Sequence, residues 1–437
     1  MLPSPQHPRS AVLHRSGLRR VSGRVGRGAL IPVLAATIAI VAIVAACSSG
    51  TLAPAPVTPS LENGLETAAT PTIRTPAPPT ATPTPKPTPT RLTNAATGAA
   101  CLAAPTGGPF LSTNGQWFTC TGRPLRLTGY TFYPALVGGA RAWRSASFRG
   151  YIDHVLDMGV AAGQNLIRAT DQWDPHATGQ RYDDPVIWSN MDYLVAAARS
   201  RGMFVVMDLS AYRWLLQSQG RDPWDASLWI SYINFVAARY RDDGNVAFYS
   251  ISGEPSAPKD ANQLASLLAF YSSTSNALSG ADPNHLITVG GFNHMEDSPS
   301  LGWWQAIDRL PHNDIVAFKT YSQHDLDLMP AIADFASSAG RVAFDEEFGM
   351  PQEYGDASFS GGQPYNGVST GRAKFFGSVY SRGDSLGLAG FVFWNMGCQV
   401  GPTSYEVNPQ TPATWAAVTS HGALEPAVTS SGDLCAG

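Results

Sequence analysis

The chain lacks the spacings that usually announce a metal or a nucleotide. No Cys-x-x-Cys or His-x-x-x-His occurs, which removes the common metal-ligand patterns. No Gly-x-Gly-x-x-Gly follows a strand-like run, which argues against a dinucleotide fold. No internal repeat is evident. Basic runs are missing beyond the start of the chain. Without residues 1–46, 23 basic residues face 33 acidic ones, so nucleic acid is not an expected partner. No cofactor is called for by any motif.

What is present begins with the N-terminus. The first 28 residues carry six Arg (Arg9, Arg15, Arg19, Arg20, Arg24, Arg27) and no acid. Ala29 to Ala46 is apolar apart from Pro32 and Thr37, a charged region followed by a hydrophobic one. It closes on Val44-Ala-Ala-Cys47, which resembles the lipobox of bacterial lipoproteins. The resemblance implies cleavage before Cys47 and a lipid on its sulfur. The alternative is an uncleaved anchor, since about 18 apolar residues just span a bilayer. Either way, export to the outer face of the cell membrane is expected.

Residues 47–100 are expected to be linker. Between Pro71 and Arg91, 15 of 21 residues are Pro or Thr, too few apolar groups to offset the entropy of ordering. Four further cysteines, Cys101, Cys120, Cys398 and Cys435, fit two disulfides in an exported protein. Three pairings are possible. Cys101–Cys120 with Cys398–Cys435 is favoured, because each pair brackets one end of the domain.

Residues 101–437 alternate short apolar runs with amphipathic helical patterns. The expected strands are Leu125–Phe132, Asn165–Ala169, Met203–Leu209, Val246–Ile251, Leu286–Gly290, Ile315–Phe318, Val342–Phe344 and Leu388–Phe393. Helices are expected over Pro185–Arg199, Ser227–Tyr240, Ala261–Ser279 and Leu326–Ser338. Eight such units point to one (β/α)8 barrel, an α/β fold. Phe110–Cys120 reads as a hairpin around Asn114-Gly115, placed to cap the barrel bottom.

In such a barrel, strand-end residues converge on one rim. Glu254 ends one strand, before Pro255, and Glu347 ends another, before Phe348-Gly349. Two carboxylates in one cleft suit glycosidic bond cleavage. Arg168, Trp173, Asp208, Ser210, Asn293, His294, Lys319, Tyr321, Glu346 and Trp394 also fall at strand ends. Sugar rings call for flat apolar faces. Of the 11 Trp, Trp143, Trp173, Trp214, Trp224, Trp303 and Trp304 fall in loops or at helix starts, and at most half of these six are expected to touch ligand. Glu254 has an alternative as a structural acid, and Tyr321 and Trp394 as core. Glu346 and Glu347 should face opposite ways on a strand, with Glu347 favoured for the cleft. Lys319 should pair with a carboxylate.

From Asn114 to about Trp394 these residues resemble glycoside hydrolase family 5, of the retaining (β/α)8 clan. The matching runs are Ser252-Gly-Glu254-Pro, Glu347-Phe-Gly349, Asn165-Leu-Ile-Arg168, Lys319-Thr-Tyr321 and Gly390-Phe-Val-Phe-Trp394. The resemblance implies Glu254 as acid/base and Glu347 as nucleophile. It also implies Arg168 supporting the nucleophile and Trp394 stacking under the sugar. Three positions depart from the pattern. Gly253 replaces an Asn that bonds the sugar 2-hydroxyl, and Ser210 and Lys319 replace His. The implied activity is a monomeric β-glycosidase on a polysaccharide such as a β-glucan or mannan. The rival is a carbohydrate-binding barrel that has lost catalysis.

Overall fold

The computed structural model describes residues 89–104, 106–134, 138–293, 302–426 and 434–435. Cys47, the apolar run before it and His294 lie outside them. Among the described residues, no helix is long and apolar enough to cross a membrane.

Eight parallel strands form the central sheet: β4 (Leu127–Phe132), β5 (Leu166–Ala169), β6 (Phe204–Asp208), β7 (Val246–Ser250), β8 (Leu286–Thr288), β9 (Ile315–Thr320), β10 (Val342–Phe348) and β11 (Gly390–Phe393). Their spatial order, β8-β7-β6-β5-β4-β11-β10-β9, is that of a (β/α)8 barrel opened at one seam. The seam between β8 and β9 is nearly closed. Phe292 bridges Phe318, and Asp314 N donates to Ile287 O at 2.8 Å. Side chains complete it: Ile287 N donates to Asp314 Oδ2 and Val289 N to Asn313 Oδ1, both at 2.9 Å.

Crossover helices wrap the sheet: α2 (Phe148–Ala161), α3 (Pro185–Ser200), α4 (Tyr212–Ser218), α5 (Ala226–Tyr240), α6 (Ala261–Ala281), α7 (Trp303–Asp308), α8 (Gln323–Ser338), α9 (Arg372–Leu386) and α10 (Pro412–His421). Their starts follow local chemistry. Asp184 caps α3 ahead of Pro185, Asp225 caps α5 and Asp260 caps α6, each accepting a backbone N–H of the first turn.

The barrel floor is a three-stranded antiparallel sheet of β1 (Ser112–Thr113), β2 (Phe118–Cys120) and β3 (Arg123–Leu125). Phe118 drives into the barrel, stacked on Phe248 at 5.8 Å and edge-on to Phe344 at 5.7 Å. Ordered structure reaches back into the stretch expected to be linker, where α1 (Arg91–Cys101) forms a helix. It has little apolar surface, so the sequence gives it away poorly. Tertiary hydrogen bonds hold it: Arg91 Nη2 donates to Thr419 O at 2.8 Å, and Arg126 N donates to Asn94 Oδ1 at 2.9 Å. The cysteines pair as Cys101–Cys120, which ties α1 to β2, and Cys398–Cys435.

Candidate active site

Strand parity decides which side chains enter the barrel. In β5, Ile167 and Ala169 pack outward among the helices while Leu166 packs inward, which turns Arg168 inward. In β6, Phe204 and Val206 pack inward, and Asp208 follows them. In β9, Ile315 and Ala317 do the same, and Lys319 continues the row. In β10, Val342 and Phe344 lead to Glu346. The floor of the cleft is therefore a layer of buried charge: Arg168, Asp208, Lys319 and Glu346.

Parity would turn Glu347 outward, as the sequence pattern expects for one of two adjacent acids. A β-bulge overrides it. Asp345 and Glu347 of β10 pair with consecutive residues of β9, Phe318 and Lys319, so Glu346 is the extra residue. Both glutamates consequently face Arg168. Its Nη1 lies 2.5 Å from Glu347 Oε2 and its Nε lies 3.7 Å from Glu346 Oε1. The turn after Glu347 needs Gly349, because a Cβ there would lie 2.6 Å from the Trp394 carbonyl oxygen.

Glu347 is saturated with donors. Tyr321 Oη donates to its Oε1 at 2.5 Å, and Lys319 Nζ donates to its Oε2 at 2.9 Å. Burial alone would raise its pKa. Lys319 and then Arg168, with the hydrogen bonds from Tyr321 and Lys319, outweigh burial and hold it well below the ordinary carboxylate value. Glu346 goes the other way. Burial pushes it up, and the opposing pull of Arg168 does not win. Its Oε2 accepts Gly291 N. Arg168 is also ion-paired to Asp208 at 2.5 Å, and Asp208 Oδ1 accepts Ser210 Oγ at 2.5 Å.

Glu254 lies beyond β7 with φ of +56°, a left-handed conformation that non-glycine residues adopt at a cost. Its N–H donates to Gly291 O at 3.0 Å, which fixes that turn. Its side chain is a quarter exposed, unlike the buried Glu347. Asn293 Nδ2 donates to Glu254 Oε1 at 2.5 Å, and Lys319 Nζ lies 3.2 Å from the same oxygen. One ammonium thus touches both carboxylates. Their nearest oxygens are no further apart than 2.9 and 3.2 Å laid end to end.

Of the aromatic candidates, Trp394 is half-buried and stacks on Tyr133, with ring centres 5.3 Å apart. Trp173 belongs to the core instead of the cleft. It is 1% exposed, wedged among Trp188, Tyr212 and Tyr232, with its Nε1 donating to Arg181 O. Trp143 and Trp303 are equally buried. Sequence reasoning overlooked Tyr133, although Tyr130-Thr-Phe-Tyr133 puts it just past a strand end. It also overlooked Arg213, whose guanidinium sits over Trp214 and Trp224 and donates to the Glu254 carbonyl at 3.4 Å. Among the described residues, no group of three His, Cys, Asp or Glu side chains is arranged to hold a metal ion.

A family model described as Cellulase (glycosyl hydrolase family 5) matches residues 121–361. No curated protein matches the chain. Among solved structures, an endo-1,4-beta-mannanase from Rhizomucor miehei is 18% identical with a TM-score of 0.52, covering 72% of this chain and 98% of its own. A glycoside hydrolase family 5 mannosidase from the same organism is 14% identical with a TM-score of 0.51, covering 72% and 97%. An endo-1,4-beta-D-mannanase from Thermotoga petrophila RKU-1 is 16% identical with a TM-score of 0.50, covering 68% and 99%. At these identities the likeness is one of fold.

Proposed function

The chain belongs to glycosyl hydrolase family 5, which marks it as a glycoside hydrolase, and we propose that it cleaves β-glycosides with retention at the outer face of a bacterial membrane. Glu347 is the nucleophile and Glu254 the acid/base. The observation that carries these roles is the pair itself: two carboxylates from β10 and from the end of β7, one buried and one half-open, joined by a single ammonium. The nearest oxygens of the pair share one Nζ at 3.2 and 2.9 Å, which supports the ~5–5.5 Å carboxyl spacing of a retaining enzyme.

Glu347, kept ionised by Lys319, Arg168 and Tyr321, attacks the anomeric carbon while Glu254 gives a proton to the leaving oxygen. Water, deprotonated by Glu254, then attacks the same carbon and releases Glu347. Trp394 and Tyr133 offer a flat face for a sugar ring. The substrate is a polysaccharide of the β-glucan or mannan class. Cys47 carries the lipid that keeps the barrel at the membrane.

Hydrolysis of a panel of β-glucans, β-mannans, xylan and aryl β-glycosides, with the first-formed anomer followed by proton NMR, tests this. A β-product from a β-substrate is expected, and an α-product would sink retention. The Lys319–Glu254 ion pair favours one other reading, a sugar-binding barrel in which Glu254 is a structural carboxylate. Binding to the panel without any reducing-end release would select it.

A further inference from the structure

Lys319 is the least expected group in the cleft. Its side chain is 4% exposed, and its ammonium touches both carboxylates. Burial of an ammonium is tolerated only where opposite charge compensates it. Here the surroundings are built for it. The stem runs through a notch lined on one side by Gly253 and Gly291. A Cβ on Gly291 would meet Lys319 Cγ at 3.0 Å. A Cβ on Gly253 would lie 2.7 Å from Gly291 O and 3.5 Å from Lys319 Cε. The Gly291 carbonyl keeps the position before Glu254 bare, and the lysine stem passes beside it at ordinary contact distance.

Among the described residues, the charged groups facing Lys319 are Glu254 beyond β7, Glu346 and Glu347 of β10, and Arg168 of β5. Asp208 of β6 stands behind Arg168. Arg213 of α4 reaches Glu254 only through its backbone carbonyl. The Tyr321 phenol bonds the far oxygen of Glu347. In the free protein the ammonium is shared between two carboxylates. Once Glu347 forms an ester with the sugar, one of those charges is gone.

Resting on the glycosidase reading above, we propose that Lys319 is a positioning residue that transfers its charge to Glu254 when the covalent intermediate forms, holding Glu254 as the carboxylate that deprotonates water. During the first step its attention is divided, so Glu254 can carry the proton that goes to the leaving oxygen. In the intermediate Glu254 is its only close anionic partner from the reacting pair. The O–H bond of water breaks, its proton goes to Glu254, and the ester C–O bond to Glu347 breaks as the new C–O bond forms. Glu347 is then charged again and reclaims its share of Lys319.

The test uses the full chain, Lys319→Met and Lys319→Gln, treated with 2-deoxy-2-fluoro-β-cellobiosyl and -β-mannobiosyl fluorides. Fluoride leaves without protonation, so the intermediate forms without acid help and accumulates. Intact mass spectrometry follows its formation and its hydrolysis across pH. Both variants should form the adduct. The acid limb of hydrolysis should move up by about one pH unit or more, the shift that removing a cation beside a carboxylate produces. Added azide, which needs no base, should bring wild type and variants to the same rate. An unmoved limb in an adduct-forming variant would overturn the role of Lys319 and leave the glycosidase reading intact. Slowing at every pH without azide rescue would reduce Lys319 to a structural part. Lys319→Gln, which keeps a donor in the notch, decides the matter if Lys319→Met does not fold. A wild type that forms no adduct and hydrolyses no substrate on the panel would remove both.

Discussion

Glu346 and Glu347 are neighbours in the chain, yet both aim their carboxylates at one guanidinium, that of Arg168. The bulge in β10 makes this possible, and it gives the two acids opposite characters. Glu347 is held ionised by cations and a phenol, whereas burial pushes Glu346 towards its neutral form. Replacing each therefore has different consequences. Glu347→Ala should lower turnover on the order of 10⁴-fold or more, as removal of a nucleophile does. Glu346→Gln keeps the volume and an acceptor oxygen, and should cost within about tenfold, a single hydrogen bond's worth. Steady-state kinetics on one aryl β-glycoside checks both, and equal losses would mean the nucleophile is misassigned.

Glu254→Ala should separate substrates by leaving group. Those with poor leaving groups should slow by about 10²–10⁴-fold, the usual contribution of general acid–base catalysis. A dinitrophenyl glycoside needs no proton and should still form the intermediate. Azide should then restore turnover and yield a β-glycosyl azide, identifiable by NMR. Formation of the α-azide, or no rescue, would count against Glu254 as acid/base.

Glu406 should make stability depend on pH. It is 1% exposed beneath the Trp394–Gly397 segment, and burial lifts its pKa to about 7 against the partial opposition of the Gln399 N–H. A carboxyl whose folded value is raised favours the fold while protonated. Its contribution is complete below the unfolded value and is lost as pH rises through about 7. The swing between those limits is about 3 kcal/mol. Urea unfolding at pH 5 and pH 8 should show wild type losing stability relative to Glu406→Gln at the higher pH. Parallel behaviour of the two proteins would refute it.

Asp356 should be worth more than its surface position suggests. It accepts Ala413 N at 2.8 Å, Thr414 N at 2.9 Å and Thr414 Oγ1 at 2.5 Å, which closes the start of α10 from 57 residues away. Asp356→Ala should cost about 1–2 kcal/mol, as loss of a helix cap does. The unfolding midpoint should fall with little change in kcat. A variant as stable as wild type would show that the cap contributes nothing.

Cys47 should take up lipid. Cells expressing the wild type should incorporate labelled fatty acid into the protein. Cys47→Ser should not, and should leave a longer, unprocessed chain. Absence of label on the wild type would end the lipoprotein assignment.

The eight strands were legible because a strand buried on both sides is a short apolar run between turn signals, as Val246–Ser250 and Phe204–Asp208 are. Strand ends were legible too, since Pro255 and Gly349 mark where Glu254 and Glu347 leave the sheet. The same local signals missed α1, whose stability comes from contacts with Thr419 and Arg126. They also placed Trp173 in the cleft, because aromatic composition does not say on which side of a wall a ring packs. Strand periodicity turned Glu346 and Glu347 to opposite faces. A bulge is a property of the pairing between β9 and β10, and neither strand encodes it alone. Nor does any local pattern set an ammonium from β9 between carboxylates 65 and 28 residues away in the chain. The sequence by itself determined which residues stand at strand ends, because that is a matter of local periodicity and turn chemistry. Barrel closure alone decided which of them share a charge, because electrostatic partnership depends on distance in space.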